Sequence, residues 1–234
     1  MLLRSGDIRY SCGEEEKING CEVRSVSCEE EVDELMQSYS SVKDSLVLRL
    51  INAGENRERA DKFISMPYFD MLIVVSAVFK NDYGYIYANA AKGAAAHWNI
   101  DTHEIIGRAY MNMSLRAAYS MQDICDVAGG IESAERRRSM YVVQEEAFGT
   151  GASVLLFNDI LSQAAETLDS DLYILPSSVY EVIVMRASAG ETYGGSSYMK
   201  NIVNDVNENI LERDEILSSR VFFYSRGRDC LSDC

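Results

Sequence analysis

Leu172-Tyr-Ile-Leu-Pro-Ser-Ser-Val-Tyr-Glu-Val-Ile-Val-Met185 decides how the chain is read. Two short apolar runs, rich in β-branched and aromatic residues, flank the break Pro176-Ser177-Ser178, which is the pattern of a β-hairpin. Proline fixes its own φ and has no N–H to donate, so it belongs at the turn and not inside either run. The rest of the chain reads as helices and further strands packed around this ribbon. The expected class is α+β, a largely antiparallel sheet built from hairpins with flanking helices.

On the C-terminal side, the glycine-rich stretch 187–196 leads to a helix with Tyr198, Ile202, Val203, Val206 and Ile210 facing inward, and Val221-Phe-Phe-Tyr224 closes the fold as a strand. On the N-terminal side, Asn158 caps a helix whose inner face is Ile160, Leu161, Ala164, Ala165 and Leu168. Before it, Met140-Tyr-Val-Val143 starts a strand, Phe148-Gly-Thr-Gly151 turns the chain, and 152–157 is apolar. Met71 to Phe79 reads as a strand by its valines and length, with a buried helix as the alternative, Asn81-Asp-Tyr-Gly84 as a turn and Tyr85-Ile-Tyr-Ala88 as the partner strand.

Further back, Ala90 to Trp98 forms a short helix, and Asp101 caps the next, whose buried stripe is Ile105, Ile106, Ala109 and Met113. Met66-Pro67-Tyr68 breaks the chain, and Val42, Leu46, Val47, Leu50 and Ile51 give a helical or mixed segment. Ser27 with Glu30 matches a capping box ahead of a helical face of Val32, Leu35, Met36 and Tyr39. The acids Glu29, Glu30 and Glu31 then sit in the first turn, where the helix dipole favours them, and this explains them better than a metal would. Residues 1–26 read as a poorly ordered or remnant lead-in, and 27–234 as a single α+β domain. The stretch 114–138 reads as a helix or two broken at Gly129-Gly130.

The totals restrict function more than they assign it. The 234 residues are 47% hydrophobic and 25% charged, as in ordinary globular proteins, and carry a net charge of −15. Such a field repels nucleic-acid phosphates and anionic lipid head groups, and it favours solubility or a basic partner. No run approaches the roughly 18 apolar residues of a membrane span. The N-terminus lacks the order of a secretion signal, which makes the cytoplasm the expected location. Cys12, Cys21, Cys28, Cys125, Cys230 and Cys234 show no C-x-x-C spacing, so free thiols are expected rather than zinc or disulfides.

Met140-Tyr-Val-Val, Phe148-Gly-Thr-Gly-Ala and above all Asp171-Leu-Tyr-Ile-Leu-Pro-Ser-Ser-Val-Tyr-Glu-Val-Ile carry a resemblance, joined by Val203-Asn-Asp-Val-Asn, Leu217-Ser-Ser-Arg-Val-Phe-Phe-Tyr and His97-Trp-Asn-Ile. From about Val47 onward the chain resembles an uncharacterised bacterial family, catalogued as domain of unknown function family 5688. Two departures stand out. Tyr180 occupies the position where the family typically has a histidine before the hairpin glutamate, and Met66-Pro-Tyr-Phe-Asp70 is shortened. The resemblance implies a fold and a cytoplasmic location, and supplies no known activity.

Chemistry-bearing residues gather at the hairpin turn. Ser177, Ser178, Tyr180 and Glu181 form the candidate ligand or partner surface, and Ser177, Ser178 and Glu181 are the catalytic candidates. A serine nucleophile needs a base at hydrogen-bond distance, and the two histidines, His97 and His103, are distant in sequence. Glu181, on a strand face with Val179, Ile183 and Met185, would act as an acid or base if enclosed among them, and as a solvated edge group otherwise. His97, Asp101, His103 and Glu104 lack the His-Glu-x-x-His spacing, so no metal is expected. Gly149-Thr-Gly-Ala-Ser lacks the phosphate-loop lysine, and no cofactor motif is present. Arg136-Arg-Arg138 offers an anion contact but reads more simply as a solvated run.

The expected function is therefore a non-enzymatic cytoplasmic domain that binds a protein partner or a small ligand. The alternatives are a hydrolase-type enzyme using the 176–181 cluster, and an acidic nucleic-acid mimic occupying a basic protein.

Overall fold

A computed structural model describes residues 8–11, 23–116, 118–127 and 140–234. Most of the expected lead-in, Cys12, Cys21, Gly129-Gly130 and Arg136–Arg138 lie outside them. The fold is α+β with antiparallel sheets built from hairpins, as the sequence implies, and its strands are divided between two sheets. The chain gathers into two compact units: 1–118 with 146–150, and 119–145 with 151–234.

The first unit contains β1 (Ile8–Ser11), α1 (Glu29–Leu35), α2 (Tyr39–Val42), β2 (Leu46–Asn52), α3 (Arg57–Ala60), β3 (Ser65–Tyr68), β4 (Met71–Asn81), β5 (Gly84–Asn89), α4 (Ala94–Trp98) and α5 (Thr102–Arg116). Its sheet runs β1-β5-β4-β2, with β3 paired to the start of β4. The long strand β4 is the spine: Met71–Val74 pair with β3, Ser76–Asn81 with β5, and Met71–Ala77 with β2.

The segment read as helical or mixed at Val42–Ile51 is instead strand β2 from Leu46. Leu46 to Leu50 are all buried, so neither a period of two nor one of 3.6 shows in the sequence. Met66-Pro67-Tyr68 does not break the chain but lies in β3, a short strand position of the kind that tolerates a residue without an N–H.

Helix α5 packs on β2 through Ile105, Ala109 and Met113, all fully buried. Burying side chains the size of Ile and Met contributes about 1.5–3 kcal/mol each. Asn112, on the same face, donates from Nδ2 to the carbonyls of Lys43 (2.7 Å) and Leu46 (2.9 Å), fixing the helix to the start of β2. Asp101 caps α5 as expected, accepting from the His103 N–H at 2.7 Å. The capping box at α1 is shifted: Cys28 is the N-cap, and the Ser27 N–H and hydroxyl both donate to Glu31, not Glu30.

The second unit contains β6 (Tyr119–Asp123), α6 (Ile124–Val127), β7 (Met140–Glu145), a 3₁₀ segment Ala152–Leu156, α7 (Asn158–Leu168), β8 (Leu172–Pro176), β9 (Val182–Arg186), α8 (Ala187–Thr192), α9 (Gly195–Asn209), β10 (Phe222–Ser225) and β11 (Cys230–Asp233). The sheet order is β11-β10-β8-β9-β7-β6, all antiparallel. The expected hairpin is its centre, with Pro176 opposite Val182 as the last pair before the turn.

On one face Tyr173, Leu175 and Met185 meet Met199 and Val203 of α9. On the other, Ile174, Val184 and Phe222 are fully buried. Asn158 is the first residue of α7, not its cap; its Nδ2 donates to the Asp229 carbonyl at 3.2 Å. In α9 the buried positions are Met199, Val203 and Asn207, which turns Tyr198 and Ile210 outward, contrary to the sequence reading.

Gly151 controls the entry to this sheet. Its φ is +42°, and a Cβ there would lie 1.7 Å from the Tyr180 carbonyl oxygen. Gly107 in α5, by contrast, has no atom within 4 Å of where its Cβ would be. Gly151→Ala is expected to destabilise the protein by about 3 kcal/mol, and Gly107→Ala to stabilise it by about 1 kcal/mol; urea denaturation of both variants beside the wild type checks this pair.

Candidate functional site

The turn between β8 and β9 is organised by backbone hydrogen bonds. The Ser178 N–H donates to the Glu181 carbonyl at 3.3 Å, and the Tyr180 N–H donates to Ser178 Oγ at 3.0 Å. Ser178 is thus a buried serine turn, its oxygen engaged by its own loop. Val179 is held on both sides: its N–H donates to the Glu215 carbonyl at 2.9 Å, and its carbonyl accepts from the Ala152 N–H at 3.2 Å.

The four residues of the predicted cluster therefore differ in standing. Ser178 is buried, Ser177 and Glu181 are half-buried, and Tyr180 is exposed at the tip of the turn. Glu181 precedes β9 rather than lying within it, so strict alternation with Ile183 and Met185 does not fix its direction. Ser177, Glu181 and Tyr180 stay close in the chain, and Ser178 faces inward between them.

The other chemistry-bearing residues are also accounted for locally. Asp101 and His103 are exposed and bonded to one another at 3.0 Å, and hydrogen bonds from the His103 backbone and ring hold the Asp101 carboxyl below its ordinary value. His97 Nε2 lies 2.9 Å from the Gln37 carbonyl. Among the described residues no group of three His, Cys, Asp or Glu side chains is placed to hold a metal. Gly149 and Gly151 serve close packing: a Cβ on Gly149 would meet the Tyr85 ring at 2.5 Å, and Glu145 and Gly151 exchange backbone bonds of 3.0 and 3.2 Å. Cys28, Cys125, Cys230 and Cys234 are free thiols.

Two surfaces carry features that the sequence did not single out. On α5, Tyr110, Met111 and Leu115 are 47%, 49% and 74% exposed. Glu104, Gly107, Arg108, Met111 and Leu115 line a shallow groove of about 450 Å³ along that helix. The signal was present as apolar residues off the buried stripe, at 111 and 115, four apart on one face.

The second surface lies where α8 meets α9. Gly194 and Gly195, with φ of +108° and +67°, make the corner. The rings of Tyr193 and Tyr198 then lie 6.3 Å apart and nearly parallel, 23° between planes. Beneath them, the Tyr173 hydroxyl donates to Glu191 Oε1 at 2.6 Å.

That bond, with burial and the negative charge of Glu191, raises the Tyr173 phenol to about 12. A free phenol titrates at about 10. Because the folded value is the higher, the contribution to stability is complete below about pH 10 and is lost as pH rises toward 12. Tyr173→Phe should reduce the alkaline loss of melting temperature between pH 9 and 12 without abolishing it, since burial also raises the phenols of Tyr68 and Tyr224. Ser178→Ala should cost about 1–2 kcal/mol by leaving the Tyr180 N–H without its acceptor, whereas Ser177→Ala should stay within about 0.5 kcal/mol; denaturant titration separates the two.

No helix among the described residues is long and apolar enough to cross a membrane. No curated protein and no solved structure matches the chain. The model of a family of unknown function, DUF5688, matches residues 16–226, and the chain belongs to that family.

Proposed function

We propose that this member of a family of unknown function is a non-enzymatic domain of the bacterial cytoplasm that binds a protein partner. The observation that carries the reading is the outward face of α5, where Met111 and Leu115, four apart on one side of the helix, are exposed and line a groove. Scattered apolar residues are normal on a surface, but a pair of large ones on one helix face lining a concavity suits an interaction site. Exposed Tyr180 at the β8–β9 turn, with Ser177 and Glu181 next to it, is a smaller surface of the same kind in the other unit.

A photo-crosslinking residue in place of Met111 tests the reading in cells that make the protein, with the same residue at the 79% exposed Tyr83 as control. One defined protein should be captured from position 111 and not from position 83, and Leu115→Glu should lower the capture severalfold without changing the melting temperature. Equal capture from both positions would count against the α5 surface. Turnover of ester, amide or phosphoester substrates that disappears in Ser177→Ala would replace the binding reading with the hydrolase one.

A further inference from the structure

The outer face of α9 carries more than the tyrosine pair. At helical spacing, Tyr198, Asn201, Asp205 and Glu208 fall on one side of the helix, opposite the buried Met199, Val203 and Asn207. All four are exposed, as are Glu191 before the corner and Glu212 after the helix. Lys200, the one basic residue of α9, is half-buried and donates from Nζ to the Cys234 carbonyl at 2.6 Å, so it does not neutralise this face. Arg213 is the exposed base of the stretch and lies beyond the helix.

The result is a stripe with an aromatic head and an acidic tail. The 15-residue helix spans about 22 Å at 1.5 Å per residue, which is the reach of about six or seven residues of extended chain. We propose that this stripe binds a basic, arginine-bearing segment of a partner protein, with a guanidinium lying on the Tyr193–Tyr198 surface and further cations meeting Asp205 and Glu208. A planar, weakly hydrated guanidinium stacks on aromatic faces as an ammonium does not, so the aromatic head selects arginine over lysine. The acids give attraction to either cation, reinforced by the net charge of −15 over the whole chain. Nucleic acid is repelled by the same field.

The inference rests on the reading of the protein as a binding domain, and names a second surface with the chemistry of its partner. Its test uses two labelled peptides, Gly-Arg-Gly-Arg-Gly-Arg-Gly and the same sequence with lysine, titrated against the full chain by fluorescence anisotropy. The arginine peptide should bind about two- to fivefold more tightly, the equivalent of one cation–aromatic contact at an exposed site. Tyr193→Ala with Tyr198→Ala should bring arginine down to the lysine level, and Tyr193→Phe with Tyr198→Phe should preserve the preference. Asp205→Asn with Glu208→Gln should weaken both peptides equally.

Equal binding of the two peptides to the wild type would overturn the inference without any variant, because it would reduce the stripe to general acidic attraction. A preference for arginine that survives the double alanine variant would overturn it as well. Crosslinking from Met111 without any arginine preference would remove this inference and leave the α5 reading standing; arginine preference without crosslinking would do the reverse.

Discussion

The close approach of Gly151 to the Tyr180 carbonyl is the constraint on which the second unit depends. A side chain of any size at 151 would occupy the space of that oxygen, and the positive φ there suits glycine alone. Because the two backbones lie so close, Ala152 can bond Val179, and Glu145 can bond Gly151 in both directions. Those bonds fix the end of β7 and the turn of the central hairpin at once. Val179 in turn reaches Glu215, so the connection after α9 is drawn to the same point. Gly149 has the corresponding role in the first unit. Without a Cβ it lets the Tyr87 hydroxyl bond the carbonyls of Phe148 and Gly149, while the Arg49 guanidinium lies 3.8 Å over the Tyr87 ring.

This constraint changes what the hairpin serines mean. A Pro-Ser-Ser turn with a nearby carboxylate looks like chemistry in the sequence. In the fold, a turn clamped from both sides needs its own polar atoms to satisfy backbone groups that water cannot reach. Ser178 does so for Tyr180. The geometry of the turn therefore gives Ser178 a structural task that needs no substrate.

Legibility followed the physics of each element. The hairpins β4–β5 and β8–β9 could be read because β-branched runs and turn residues point the same way, and α5 because its cap and most of its stripe agree: Ile105, Ala109 and Met113 are buried, while Ile106 is only half-buried. Strand β2 could not, since burial on both faces erases the alternation that distinguishes strand from helix. Strands β1, β6 and β11 were missed because sheet edges need less apolar sequence: Tyr119-Ser-Met-Gln-Asp123 has no buried position. Tyr198 was placed inward by treating every large apolar residue as core, when the inward position further along the helix belongs to Asn207, bonded at 3.0 Å to the Ser218 carbonyl. At α1 the acid run was correctly assigned to the helix start, but which glutamate meets Ser27 depended on a one-residue shift of the cap.

The candidate site was legible only as composition. The sequence drew attention to the hairpin residues Ser177, Ser178, Tyr180 and Glu181 and to the chain's acidity, but not to the exposed faces of α5 and α9. Position comes from tertiary structure. Asn112 anchors α5 so that Met111 and Leu115 face away from β2, and the Gly194–Gly195 corner sets two tyrosines side by side at the head of an acidic helix face. In both cases a polar or glycine residue that contributes little apolar burial decides which large side chains remain available. The same logic separates the two kinds of tyrosine in this chain. Tyr85 and Tyr87 direct their hydroxyls to backbone carbonyls and belong to the architecture, whereas Tyr193 and Tyr198 present their rings at the surface, where recognition can use them.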